Sequence, residues 1–224
     1  RSDNANQLDA ARVAARLLSQ HAGNVSVQIP AEAAVSREGI GILAQHGEHA
    51  APTVEVTEES DLDGIAQLAE EIAANGMPVN VQLDAEVADA ISLGALAAFA
   101  DGVRVRTDNL ERARGIRSEL RELAASNGRS VRVLGELGIV ISGSMRAANE
   151  RALLVADMVG APLFEGKASV VGTVSDVADA FERWIGTGAA DGLIFLPASL
   201  PTDLASLIRG VVPLLTARAQ IEAA

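Results

Sequence analysis

The residues best suited to chemistry lie on two short β-rich runs. Gly102 to Arg106 alternates Val103 and Val105 with Arg104 and Arg106, so a strand there puts both guanidinium groups on one face. Arg106 stands at the carboxyl end of that run, next to Thr107, where the two could hold an anionic substrate. The plainer reading is a salt bridge from Arg106 to an Asp or Glu on a neighbouring loop. Pro78 to Leu83 alternates Asn80 and Gln82 with Val79, Val81 and Leu83. Amides on an inward face need hydrogen-bond partners, either a cofactor ring or each other. Asp191, before the last apolar run, suits a turn cap better than a catalytic acid.

Other motifs fail on spacing. His46-Gly47-Glu48-His49 has the residue types of a metal or acid–base cluster. It lacks the i, i+4 spacing of a helical zinc motif and an evident third ligand, so it reads as a solvated loop and no metal site is expected. His21, beside Gly23, reads as a helix-end residue favoured by the dipole. Gly39-Ile40-Gly41 follows a helical pattern instead of a strand, which disqualifies it as a dinucleotide fingerprint. In Gly160 to Lys167 five residues separate the glycines where a P-loop has four, and Ala168 stands where Ser or Thr would bind magnesium. No Gly-x-Ser-x-Gly elbow occurs, and Cys and Tyr are absent, so the sequence names no catalytic residue.

The 224 residues carry a net charge of −12, and seventeen of the eighteen basic residues are Arg. That balance argues against nucleic acid, which is held by clustered cations. Zero cysteines exclude disulfides and thiol chemistry and fit a cytoplasmic protein. The opening Arg1-Ser2-Asp3-Asn4 lacks a signal-peptide pattern. No apolar run approaches the roughly 20 residues that cross a bilayer, so no membrane partner is expected.

Helical patterns and short β-rich runs alternate along the chain. Strands are expected at Asn24 to Ile29, Thr53 to Thr57, Pro78 to Leu83, Gly102 to Arg106, Val131 to Ser142 and Leu193 to Leu196, with a seventh at Ser169 to Val171. Gly135 and Gly138 predict a bend or bulge in the fifth run. Helices are expected between the strands, including Ala85 to about Ala98, with Asp84 as its cap. Another is capped by Thr107-Asp108 and runs to Asn127-Gly128. This alternation predicts an α/β fold with a parallel βα-repeat sheet, and the absence of a linker predicts one domain over residues 1–224.

The segments Gly172-Thr173-Val174-Ser175-Asp176-Val177-Ala178-Asp179-Ala180-Phe181-Glu182-Arg183-Trp184 and Gly188-Ala189-Ala190-Asp191-Gly192-Leu193-Ile194-Phe195-Leu196-Pro197 form one capped helix, turn and strand. They resemble the closing segment of the luciferase-like flavin-dependent monooxygenases, in the branch of nitrilotriacetate and dibenzothiophene sulfone monooxygenases. Pro78-Val79-Asn80-Val81-Gln82 resembles that family's fifth barrel strand, and Phe99-Ala100-Asp101-Gly102-Val103 its sixth. Val131 to Ile141 resembles the seventh, and Ala147-Ala148-Asn149-Glu150-Arg151-Ala152 the helix after it. Leu8 to Val27 resembles the third unit, so the first two barrel strands would lie upstream or be lost.

The resemblance implies a shortened or incomplete TIM-type barrel and an FMN- or F420-dependent monooxygenase or oxidoreductase acting on a small organic substrate. Asn80, Gln82, Arg106 and Thr107 are then the cofactor-binding candidates. The alternative is a non-catalytic, shortened member that serves as a partner subunit or binds a small molecule without flavin. A homodimer is expected, because an incomplete barrel exposes apolar sheet. The chain departs from the family at Gln82-Leu83-Asp84-Ala85-Glu86, where the family has a Gln-Ala-Gly-x-Ser turn that receives the flavin phosphate.

Overall fold

A computed structural model describes residues 2–20, 23–29 and 33–222. His21 lies outside them. The chain packs as two compact units. The first holds the described residues up to Val105 and Ile116–Val133; the second holds Arg106–Gly115 and the described residues from Leu134 onward.

The first unit is a run of βα steps. Its elements are α1 (Ser2–Gln20), β1 (Val25–Ile29), α2 (Ala33–Leu43), β2 (Ala50–Glu55), α3 (Leu62–Ala74), β3 (Asn80–Asp84) and α4 (Leu93–Phe99), then most of β4 (Gly102–Arg106) and the later part of α5 (Leu110–Ser126). The strands lie in the order β1-β2-β3-β4, and β1 and β3 both pair with β2 in parallel. Every second strand residue (Val27, Ile29, Val54, Val81, Leu83, Val103 and Val105) enters one core with Ile65, Leu68, Ile72, Leu96, Ile116 and Leu120 from the helices. α3 shows why these segments become helices. Ile65, Leu68, Ala69 and Ile72 recur at three- and four-residue intervals and are all buried, and Gly76 ends the helix at φ 73°.

The Ala100-Asp101 step before β4 has a structural role. Asp101 accepts the Val79 N–H through Oδ2 at 2.8 Å and donates its own N–H to the Val79 carbonyl at 2.8 Å. Arg129 reaches its other oxygen at 2.9 Å and the Phe99 carbonyl at 3.0 Å. One carboxylate thus sets the start of β4 against the start of β3.

In the second unit most of β5 (Arg132–Ile141, from Leu134 onward) lies between β6 (Ala168–Gly172) and β7 (Gly192–Pro197), parallel to both. The helices α6 (Met145–Val159), α7 (Val174–Gly186), α8 (Leu200–Ser206) and α9 (Val212–Glu222) complete it, with α8 and α9 joined by a π-helical turn at Leu207–Val211. Leu137, Ile139 and Ile141 pack with Val177, Ala178, Ala180 and Trp184 of α7.

The bend expected at Gly135 and Gly138 is absent: β5 runs unbroken for 10 residues. A β-carbon at Gly135 would stand 2.9 Å from Trp184 Cζ3, and one at Gly138 would overlap the Phe164 ring. The glycines therefore make room for aromatic rings on opposite faces of a continuous strand. Phe164 reaches its place at φ 59°, the left-handed region that a bulky residue avoids.

The Thr173–Asp176 capping box starts α7 as the sequence implies. The Thr173 N–H and hydroxyl both donate to Asp176 Oδ2 at 2.7 Å, and the Asp176 N–H returns to Thr173 Oγ1 at 3.4 Å. These bonds, the backbone one foremost, hold the Asp176 carboxyl below its ordinary value. At the far end of the chain, Arg218 of α9 bonds Asp179 and Glu182 of α7, each at 2.7 Å. Those partners, Asp179 first, raise the Arg218 guanidinium further above its ordinary range.

Candidate functional site

Parallel strands covered on both faces read as continuous apolar runs. Those of the first unit instead alternate, and the face turned from the helical core carries Ser26 and Gln28 of β1, Thr53 and Glu55 of β2, Asn80 and Gln82 of β3, and Arg104 of β4. Register aligns them into rows, Gln28–Thr53–Asn80 and Glu55–Gln82. The face is polar yet largely desolvated at its centre, where Thr53 is 0 % exposed and Gln82 is 2 % exposed.

Its hydrogen bonds run across strands. Ser26 and Thr53 share a hydroxyl–hydroxyl bond of 2.7 Å. Gln28 Nε2 donates to Glu55 Oε2 at 2.8 Å, and Gln82 Nε2 points to Glu55 Oε1 at 3.5 Å. Glu55 thus draws two amides toward one carboxylate near the carboxyl ends of the strands. Asn80 lies lower in the face, with its side-chain oxygen in the space a β-carbon of Gly102 would need. Sequence reasoning named Asn80 and Gln82 but passed over Gln28 and Glu55. The alternation of Thr53 and Glu55 with Val54 and Val56 is the signal that would have found the latter.

Arg106 and Thr107 belong to the second unit. Arg106 Nε lies 3.6 Å from Glu136 Oε2, and Lys167 Nζ lies 4.0 Å from the same oxygen. The acidic partner is a buried residue of strand β5, where the sequence suggested a loop. Thr107 is buried and works locally: its hydroxyl accepts the Asn109 N–H at 3.1 Å, and its carbonyl accepts the Ala168 N–H at 3.1 Å. The expected cap of α5, Thr107-Asp108, is corrected to Asn109, whose Oδ1 accepts the Arg112 N–H at 3.0 Å.

A further carboxylate joins the carboxyl ends of two strands in this unit. Asp203 is 0 % exposed and accepts the Ile141 N–H and the Ser199 N–H, each at 2.8 Å. Arg151 of α6 completes its coordination with an ion pair. Nothing in the local sequence marked it, because its partners come from 4, 52 and 62 positions away.

The turn after β3 tests the fit of a flavin phosphate. β3 continues to Asp84, and a 3₁₀ turn, Val87–Asp89, follows with no side-chain cap bond from Glu86. The next α-helix begins only at Leu93, where the Ser92 hydroxyl accepts the Ala95 N–H at 3.2 Å. The long helix expected from Ala85 is therefore absent, and Asp84 caps none. An anion site at such a turn needs a helix N-terminus and a closely approaching backbone. Asp84 and Glu86 supply negative charge there instead, so this turn does not fit a phosphate.

His46 and His49 sit on a 3₁₀ helix, Ala44–His49, where Gly47 takes φ 49°. His49 Nδ1 is 2.9 Å from Asn24 Oδ1. Among the described residues no group of three His, Cys, Asp or Glu could hold a metal ion.

No family model matches the chain, and no curated protein matches it in sequence. Solved structures do match. EDTA monooxygenase (EmoA) from Chelativorans sp. BNC1 superposes with a TM-score of 0.69 over 94 % of this chain and 77 % of its own, at 13 % identity. Riboflavin lyase (RcaE), solved with modified FMN and riboflavin, gives 0.73 over 94 % and 74 %, also at 13 % identity. The chain has the luciferase-like fold. The coenzyme F420-dependent tetrahydromethanopterin reductase from Methanopyrus kandleri shares it, with a TM-score of 0.61 over 92 % of this chain and 87 % of its own, at 12 % identity. The parallel βα repeat is thus a shortened form of a TIM-type architecture that serves flavin- and F420-dependent enzymes.

Proposed function

We propose that this chain is a luciferase-like flavin-dependent oxidoreductase, using FMN or F420 on a small organic substrate. The observation that carries the reading is the polar sheet face of the first unit. Gln28 and Gln82 present amide groups beside Glu55 near the carboxyl ends of parallel strands, the end at which barrel enzymes assemble their sites, and Asn80 lies lower in the same face. Amides that both donate and accept suit the imide edge of a flavin or deazaflavin ring. When bound, such a ring supplies hydride or oxygen chemistry; the protein's part is to bind, orient and exclude water. With no phosphate site after β3, affinity rests on the ring.

Flavin fluorescence titrations with FMN, riboflavin and F420 test this reading. FMN is expected to bind no more than about threefold tighter than riboflavin, and Gln82→Leu to weaken both about tenfold, the loss of one well-placed hydrogen bond. Absence of binding by all three at saturating concentration rejects it. The acidic turn at Asp84 and Glu86 favours one second reading, a non-catalytic member that binds another small molecule, and that result would select it.

A further inference from the structure

A cavity of about 340 Å³ lies in the second unit, at the start of β6 and beside the last turns of α7. Its walls belong to that unit alone and share no residue with the polar sheet face of the first. Leu137 of β5, Val170 of β6 and Trp184 of α7 give it an apolar side. Lys167 and Arg183 line it as well, and Asp108 is the one carboxylate among its described lining residues.

The protein leaves these cations largely unused. The Lys167 ammonium stays 4.0 Å from Glu136, beyond hydrogen-bond reach, and Arg106 approaches the same oxygen more closely, at 3.6 Å. Arg183 is exposed and forms no ion pair among the described residues, and neither does Asp108. Arg106, Lys167 and Arg183 therefore exceed Glu136 and Asp108 by one positive charge, in a chain whose net charge is −12.

We propose that this cavity binds a small aromatic monocarboxylate. The carboxylate lies between Arg183, whose guanidinium offers two parallel donors, and Lys167, which adds a point charge. One negative charge balances the local excess. The ring covers the apolar side, where Trp184 supplies an aromatic neighbour. Volume sets the size of the occupant: ligand cavities run from roughly 300 to 1,000 Å³, and this one stands at the small end. A phosphate dianion would overfill the charge and leave the apolar side bare.

Trp184 is the single tryptophan of the chain, so its fluorescence reads the cavity wall directly. Titration of the full chain with benzoate is expected to change that emission saturably, with a dissociation constant on the order of 1 mM or below. Benzyl alcohol keeps the ring without the charge, and inorganic phosphate keeps the charge without the ring. Each is expected to bind at least about tenfold more weakly. Arg183→Gln and Lys167→Gln should each weaken benzoate about tenfold, with far-UV circular dichroism unchanged. Arg146→Gln, which alters an exposed cation of α6 outside the cavity, should leave the affinity as it is. Should a variant unfold, hydrogen exchange of the unaltered chain with and without benzoate replaces it, and slower exchange at the start of β6 and the end of α7 supports the proposal. No response to benzoate by either readout, equal affinity for benzyl alcohol or phosphate, or full affinity in both folded cavity variants overturns it.

Discussion

The two units dispose of their apolar residues in opposite ways. In the first, strand residues alternate, so the helices cover one sheet face and the other stays polar and cross-linked by Ser26–Thr53 and Gln28–Glu55 bonds. In the second, β5 is buried from Gly135 through Ile141, with Trp184 over Gly135 and Phe164 over Gly138. The apolar surface left over there lies on the outer sides of α6, α8 and α9. The first unit thus keeps a polar sheet face, and the second an exposed apolar helix face. The same βα step yields either one, depending on whether the strands alternate.

Substitutions can break this contrast, the largest effects falling in the second unit. Asp203→Ala strands Arg151 and two backbone N–H groups, and removing one member of a buried pair costs about 3–5 kcal/mol. Urea unfolding should show that loss; a change below about 1 kcal/mol would mean that water replaces the carboxylate. Gly138→Val drives a side chain into the Phe164 ring and should cost about 2–3 kcal/mol. Phe164→Ala in the same chain should recover part of it, and additive effects in the double-mutant cycle would refute direct contact.

Thr173→Ala removes the α7 cap and should cost about 1 kcal/mol, read from the denaturation midpoint. Because the folded pKa of Asp176 is lowered, its contribution is complete above the ordinary carboxylate value near 3.8 and fades as pH falls through the lowered one. The difference between parent and Thr173→Ala should therefore narrow in acid and hold constant near neutrality. The smallest stability change, within about 0.5 kcal/mol, is expected for Gln28→Ala, an exposed residue of the first unit. That variant sharpens the contrast if it weakens ring binding while leaving the midpoint in place.

Much of the fold was legible in sequence because its signals are local. All seven expected strands appear, β4 with the same bounds, and the Thr173–Asp176 cap was readable from three-residue spacing. Several of the errors share a cause, dependence on a partner far along the chain. Gly135 and Gly138 looked like strand breakers because the rings that need their space come from residues 184 and 164. Ala85 to Ala98 looked helical by composition, yet a 3₁₀ turn and a new cap at Ser92 divide it. For Arg106 the sequence offers an anionic substrate or a loop acid, whereas the acid that meets it is Glu136, 30 positions away on β5.

Taken alone, the sequence determined the βα alternation, which strand residues share a face, and the acidic character of the turn after β3. These follow from periods of 2 and 3.6 and from charge, and all are short-range. Only tertiary structure decided which polar residues meet: Gln28 and Gln82 at Glu55, Arg106 and Lys167 at Glu136, Arg151 at Asp203. Strand register and helix packing set those meetings, and both depend on residues tens of positions apart that close into one core.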